Sequence, residues 1–205
     1  MIQGVDDLFD SGEYWDRRYR RGGNSGAGSY NRLAQFKARV LNDFVIAHDV
    51  ETVIEWGCGD GAQLLLAEYR SYVGLDVSRT VLDQIIQKFS GKSNYSFLHV
   101  SDAPNDIRAE LALSLDVIYH LIEDDVYHRY MESLFGSASK YVIIYSSNED
   151  AQTVAPHVRH RQFQSWIELN RPEFRLMDHV ANPYPFDPDK PAETSFADFW
   201  IYTRT

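Results

Sequence analysis

Val53-Ile54-Glu55-Trp56-Gly57-Cys58-Gly59-Asp60-Gly61 decides the reading of this chain. A short run of β-branched and apolar residues ends in an acid and then breaks into three alternating glycines. The run predicts a buried strand, Thr52 to Glu55, and the glycines predict a tight turn in which the backbone can approach a ligand closely. A helix is expected directly afterwards, from Ala62 to Tyr69. The pattern then repeats outward. Tyr72 to Asp76, Tyr95 to Val100, Leu111 to Leu115 and Tyr141 to Ser146 read as short apolar strands. Helices are expected between several of them, over Ser78 to Phe89 and about Glu123 to Phe135. Continuous apolar strands separated by helices imply parallel βαβ units with both sheet faces covered.

The two ends differ from this middle. Glu13 to Arg21 reads as a short helix, and Tyr30 to His48 as a longer one with a stripe of Leu33, Phe36, Val40, Leu41 and Phe44. Between them lies Gly22-Gly23-Asn24-Ser25-Gly26-Ala27-Gly28-Ser29, whose four glycines in eight residues make a lid hinge or a flexible linker. Residues 1–49 are therefore expected to form a helical cap with a glycine-rich lid loop over a main domain at 50–205. At the other end Gln162 to Asn170 is a candidate helix, and Phe174 to Val180 and Phe196 to Thr203 are candidate strands. Pro183, Pro185, Pro188 and Pro191 stand between those strands, so a loop must join them and they must run antiparallel. The expected fold is α/β: a Rossmann-like, seven-stranded, mostly parallel sheet with an antiparallel C-terminal hairpin and helices on both faces.

Composition narrows the function. Among 205 residues, 30 Asp and Glu outweigh 20 Lys and Arg, a net charge of −10 that disfavours nucleic acid and anionic membranes as partners. The single cysteine, Cys58, excludes an intramolecular disulfide and a Cys-rich zinc site. No run approaches the roughly 18 apolar residues of a membrane span. The acidic start, without an apolar centre, does not read as a signal peptide, so a cytoplasmic protein is expected. Asp124 and His128 share a helix face, but an acidic first turn stabilised by the helix dipole explains them better than a metal, and no metal is expected.

Asp76 follows Glu55 by 21 residues, at the end of the second strand, where an acid accepts hydrogen bonds from ribose hydroxyls. With Glu55-x-Gly57-x-Gly59-x-Gly61 and Asp76 in place, the chain from about residue 50 to 205 resembles the class I S-adenosylmethionine-dependent methyltransferases. The resemblance implies S-adenosylmethionine as cofactor, bound along Glu55, Gly57, Cys58, Gly59, Gly61, Asp76, Val77, Asp102, Ala103 and Leu115. In it Glu55 holds the methionine ammonium, Asp76 the ribose and Asp102 the adenine amine. Leu113 to Leu121 resembles the wall between cofactor and acceptor in small-molecule members. The same stretch also resembles one bacterial subgroup often associated with modification of sugars and related polar metabolites. Gly57, Gly59 and Ala62 also satisfy the G-x-G-x-x-A pattern of a dinucleotide site, but an oxidoreductase needs a substrate domain for which the length leaves little room.

Transfer to a hydroxyl is helped by a general base, and His120, just past the fourth strand, is the candidate catalytic residue. Tyr30, Tyr119 and the run His157, Arg159, His160, Arg161 are candidate substrate contacts, the arginines suited to clamp a phosphate or carboxylate. A second basic cluster, Arg17, Arg18, Arg20 and Arg21, reads as a solvated helix face. The expected activity is methylation, on oxygen, of a small polar or anionic acceptor such as a sugar derivative. A macromolecular acceptor (RNA or protein) is the alternative, and an NAD-binding protein a more distant one. Ser114-Leu115-Asp116-Val117 stands where adenine-modifying enzymes carry an Asn/Asp-Pro-Pro-aromatic motif, which counts against nucleic acid.

Overall fold

The computed structural model describes residues 9–151, 153 and 155–205, so the first eight residues of the expected cap lie outside the described residues. Among the described residues, five α-helices, α1 (Ser11–Arg20), α2 (Asn31–Ala47), α3 (Arg79–Lys88), α4 (Asp124–Gly136) and α5 (Phe163–Asn170), surround seven strands. These are β1 (Thr52–Trp56), β2 (Ser71–Asp76), β3 (Tyr95–His99), β4 (Ala109–Leu115), β5 (Ala138–Ser146), β6 (Phe174–Val180) and β7 (Asp198–Arg204). The strand order is β3-β2-β1-β4-β5-β7-β6, with β1 to β5 pairing in parallel and β7 antiparallel to both neighbours. The proline-rich return from β6 offers no helical crossover, so β7 inserts beside β5 the opposite way. The order reverses between β1 and β4. In open α/β sheets a ligand crevice forms outside the carboxyl ends of the strands at such a switch point.

Side chains alternate across the sheet, and each face is buried. Val53, Leu111, Leu113, Ile143 and Tyr145 face a cluster that includes Phe36, Leu41 and Phe44 of α2 and Leu82 and Ile85 of α3. Ile54, Ala112, Val142 and Ile144 face the other cluster, with Met131, Leu134 and Phe135 of α4 and Phe163 and Ile167 of α5. Helix α2 therefore belongs to the core of the sheet. The expected boundary at 49/50 separates no second core, and only α1 and the glycine-rich segment form an overlay. Ile144 is fully buried, so Ile144→Ala is expected to cost about 2–5 kcal/mol, read as a fall in the urea midpoint.

One expected helix is not there. Ala62 to Tyr69 yields only a single 3-10 turn, Leu64–Leu66. Two contacts explain this. Asp60 Oδ1 accepts the Ala62 amide at 2.9 Å, closing a local turn. Asn42 of α2 then donates to the Leu66 carbonyl at 2.9 Å and accepts the Glu68 amide at 3.1 Å, taking backbone groups that a helix would pair internally. Tyr69 is drawn down to stack on Tyr72, their rings 5.7 Å apart.

Candidate functional site

The strand ends of β1 and β2 are tied together by the glycine turn. Gly57, Gly59 and Gly61 have φ of 85°, 56° and 68°, the left-handed region that a side chain disfavours. The Gly57 and Cys58 amides both donate to the Leu75 carbonyl, at 2.7 and 3.0 Å. Asp76 braces the turn from the neighbouring strand, its Oδ2 accepting the Gly59 amide and its Oδ1 the Ser78 amide, both at 2.9 Å. Burial pushes its carboxyl up despite these bonds. Glu55 is buried beneath the turn and accepts the Tyr72 hydroxyl at 2.7 Å. Burial outweighs that bond and the nearby Lys37 charge, and its pKa is pushed up to about 7.

Above this floor lies a cavity of about 330 Å³, within the range of small-ligand sites. Glu55, the turn, Asp76, Val77, Val100 and Leu115 to Val117 line its sheet side. Trp15, Tyr19, Ser25, Ser29 and Lys37 line its other side. Helix α1 is held across the crevice at its start and at its middle. Ser11 donates from its amide and its hydroxyl to the Glu123 carboxylate. Asp16 accepts the Ser78 hydroxyl at 2.6 Å. The glycine-rich segment is fastened to the turn itself. The Ser25 amide donates to Asp60 Oδ2 and the Asp60 amide to Ser25 Oγ, each at 2.9 Å. Tyr30 adds its hydroxyl to the same Asp60 oxygen at 2.7 Å, so it serves the latch and not the cavity wall.

His120 sits on the cavity wall, its ring edge-on to Trp15 at 4.8 Å. Its Nδ1 lies 2.8 Å from the His157 carbonyl, which can only accept. The proton is therefore on Nδ1, and Nε2 keeps a free lone pair. Desolvation pushes its pKa down to about 4. Its proton linkage has a definite sign. Between pH 6.5 and 4 the unfolded chain binds the proton that folded His120 refuses, so this group's contribution to stability falls as pH falls. Glu55 slopes the other way between pH 4.5 and 7, because its folded pKa is raised. His120→Gln removes one slope and leaves the other. The urea-derived stability gap between wild type and variant should shrink by about 1–2 kcal/mol from pH 7 to pH 5. An equal gap at both pH values would contradict the desolvated neutral imidazole.

Other expected site residues fall elsewhere. Asp102 is half exposed and paired with Arg79 at 3.0 Å, which lowers its pKa. Neither it nor Ala103 lines the cavity; Val100 closes that side instead. The basic run is occupied internally. Arg159 donates to the Ile122 carbonyl at 2.9 Å. Arg161 meets Asp124 at 2.6 Å, donates to the carbonyls of Leu121 and Ile122, and lies over the Tyr127 ring. The two arginines thus pin the loop to the segment after β4, and these guanidinium groups are not an open anion clamp. His157 stacks on Tyr14 with rings 5.0 Å apart, and His160 bonds Ser147 Oγ at 2.7 Å. Tyr119 is buried and donates to Asp116 Oδ1 at 2.7 Å. Of the α1 arginines, Arg17 pairs with Glu13 on the exposed face and the exposed Arg20 with the half-buried Asp16, whereas Arg18 departs from a solvated surface, donating to the Asn24 carbonyl at 2.7 Å and lying over the Trp15 ring.

Sequence reasoning missed Trp15, Tyr19 and the buried pair of Lys37 Nζ and Asp116 Oδ2, 2.6 Å apart. One signal was available. Lys37 stands four residues after Leu33 and four before Leu41, a charge in the middle of an apolar stripe.

No protein-family model and no curated protein sequence matches the chain. Solved structures do. Magnesium protoporphyrin IX methyltransferase (ChlM) from Synechocystis PCC 6803 with bound SAM is 16% identical, covers 98% of this chain and 100% of its own, and superposes with a TM-score of 0.67. N-methyltransferase NodS from Bradyrhizobium japonicum WM9, in complex with S-adenosyl-L-homocysteine, is 13% identical over 95% of this chain and 99% of its own, with a TM-score of 0.72. The methyltransferase domain of bacterial CtHen1 is 16% identical over 82% of this chain and 96% of its own, with a TM-score of 0.62. The chain has the fold of the class I S-adenosylmethionine-dependent methyltransferases.

Proposed function

We propose that this protein is an S-adenosylmethionine-dependent methyltransferase acting on a small polar acceptor. The supporting observation is the bare cradle at the switch point. Added Cβ atoms on Gly57 and Gly59 would come within 2.6 Å of Val117 and 2.3 Å of Ser25, so the turn is kept stripped beside a buried acid, Asp76, in a cavity that opens to solvent. These residues fit the cofactor. Asp76 has a lone pair left on each oxygen for the ribose hydroxyls, Glu55 is an acid for the ammonium, and Val77 and Val100 offer an apolar slot for the adenine. The cofactor supplies a methyl group on a cationic sulfur, so its leaving group is already activated.

What the chain adds is position, exclusion of water and a proton acceptor. Helix α1 and the latched segment 22–29 close the crevice. His120 Nε2, unprotonated above about pH 4, can take the proton of an acceptor hydroxyl. With Arg159 and Arg161 occupied by Asp124 and backbone carbonyls, recognition of a sugar-like acceptor falls to neutral hydrogen-bonding groups and not to a charge clamp.

The test is a thermal-shift screen. S-adenosylhomocysteine should raise the melting temperature and NAD should not; the reverse would reassign the site. Once an extract screen with methyl-labelled donor yields an acceptor, His120→Ala should lower turnover roughly 10²–10⁴-fold and change S-adenosylhomocysteine affinity far less. Undiminished turnover would remove His120 from the reaction.

A further inference from the structure

Lys37 is the most deeply buried charge in the cavity wall, with 1% of its side chain exposed. Its ammonium has three protons to give. Among the described residues it makes one hydrogen bond, to Asp116 Oδ2 at 2.6 Å. It also faces the Tyr145 ring, 5.3 Å away, and its charge acts on the buried Glu55 carboxyl, to which it makes no hydrogen bond. Burying an ammonium with unfilled donors is costly, so a pocket that does so is missing an acceptor.

Asp116 is equally marked. It follows β4 directly, at φ 60°, a strained conformation for a residue with a side chain. Its other oxygen accepts Tyr119. The lid is shaped to spare it, since a Cβ on Gly28 would lie 2.6 Å from Oδ2. A cation and an anion are therefore held side by side on a ligand cavity, with backbone strain on one partner and a bare glycine over the pair. The complementary ligand carries both charges on one carbon, which is the chemistry of an α-amino acid.

We propose that the Lys37–Asp116 pair seats the amino-acid head of the sulfonium nucleoside, Lys37 taking its carboxylate and Asp116 its ammonium. The proposal rests on the methyltransferase reading above. In the empty protein the two side chains neutralise each other. The zwitterion gives each a partner of opposite sign, so the buried charge balance is unchanged, and Lys37 gains the acceptor it lacks. Glu55, already engaged by Tyr72 beneath the turn, is a second acceptor for the ammonium.

Calorimetry with two ligands tests this: S-adenosylhomocysteine and its decarboxylated analogue, which keeps the nucleoside, the thioether and the amine. Wild type should prefer S-adenosylhomocysteine by at least tenfold. Lys37→Met should bind the two ligands equally, through loss of affinity for S-adenosylhomocysteine alone. A merely structural lysine would lower both affinities together and leave the preference intact, which overturns the proposal. Equal binding of the two ligands by wild type overturns it without any variant, so misfolding of Lys37→Met cannot shelter it. Lys37→Arg, which retains the charge, should retain the preference. If wild type binds neither ligand, the methyltransferase reading itself falls, a result distinct from the other two.

Discussion

Gly59→Ala should weaken S-adenosylhomocysteine binding about 100-fold while leaving the sheet folded. The residue has φ 56°, and a Cβ there would stand 2.3 Å from Ser25 Oγ and 3.2 Å from the Tyr19 hydroxyl. Two costs combine. A left-handed alanine is worse than glycine by about 1–2 kcal/mol. The Ser25–Asp60 latch must also part, and its two reciprocal hydrogen bonds are worth about 0.5–1.5 kcal/mol each. Together these come to about 3 kcal/mol against the closed state, and every 1.4 kcal/mol is a factor of ten in affinity. Calorimetry gives the affinity, and proteolysis within 21–29 reports the opened segment. Affinity within threefold of wild type would show that the contact between overlay and turn is unrelated to binding.

The position of Gly59 also shows what the sequence made legible. Three alternating glycines between a strand and a further apolar segment identify the turn, and the spacing to Asp76 identifies the second strand end, because both are consequences of local periodicity. The terminal antiparallel strand was legible for a negative reason, four prolines where a crossover helix would have to be. What failed was long-range. Asn42 unwinds the expected helix over 62–69 from 24 residues away, and no local propensity records that. Lys37 and Asp116 are 79 residues apart and meet only because α2 lies over the end of β4. The run 157–161 looks like a cationic site by composition. In the fold its guanidiniums face Asp124 and the carbonyls of 121 and 122, so composition misread a structural brace as a recognition surface. Asp102 was misplaced in the same way, with Arg79 holding it outside the cavity.

Asp76→Asn separates the local role of the acid from its ligand role, which Asp76→Ala confounds. In the wild type both carboxylate oxygens accept buried amides, from Gly59 and Ser78. Alanine abandons both, at about 1–3 kcal/mol for each unsatisfied donor, and the turn loosens before any ligand arrives. Asparagine keeps one oxygen for one of these amides. Its NH2 group opposes the other amide and cannot accept from a ribose hydroxyl. The charge-assisted bonds to that ribose, worth about 1.5–3 kcal/mol each, are thereby reduced or lost. Asp76→Asn should bind S-adenosylhomocysteine at least tenfold more weakly than wild type, and Asp76→Ala more weakly still. The stability loss, read from urea midpoints, should be clearly smaller for asparagine than for alanine. If asparagine instead matches wild type in affinity while losing stability as alanine does, Asp76 is a brace for the glycine turn and the ribose must be held elsewhere. The geometry argues against that outcome, because the carboxylate stands on the cavity wall with lone pairs that no described residue occupies.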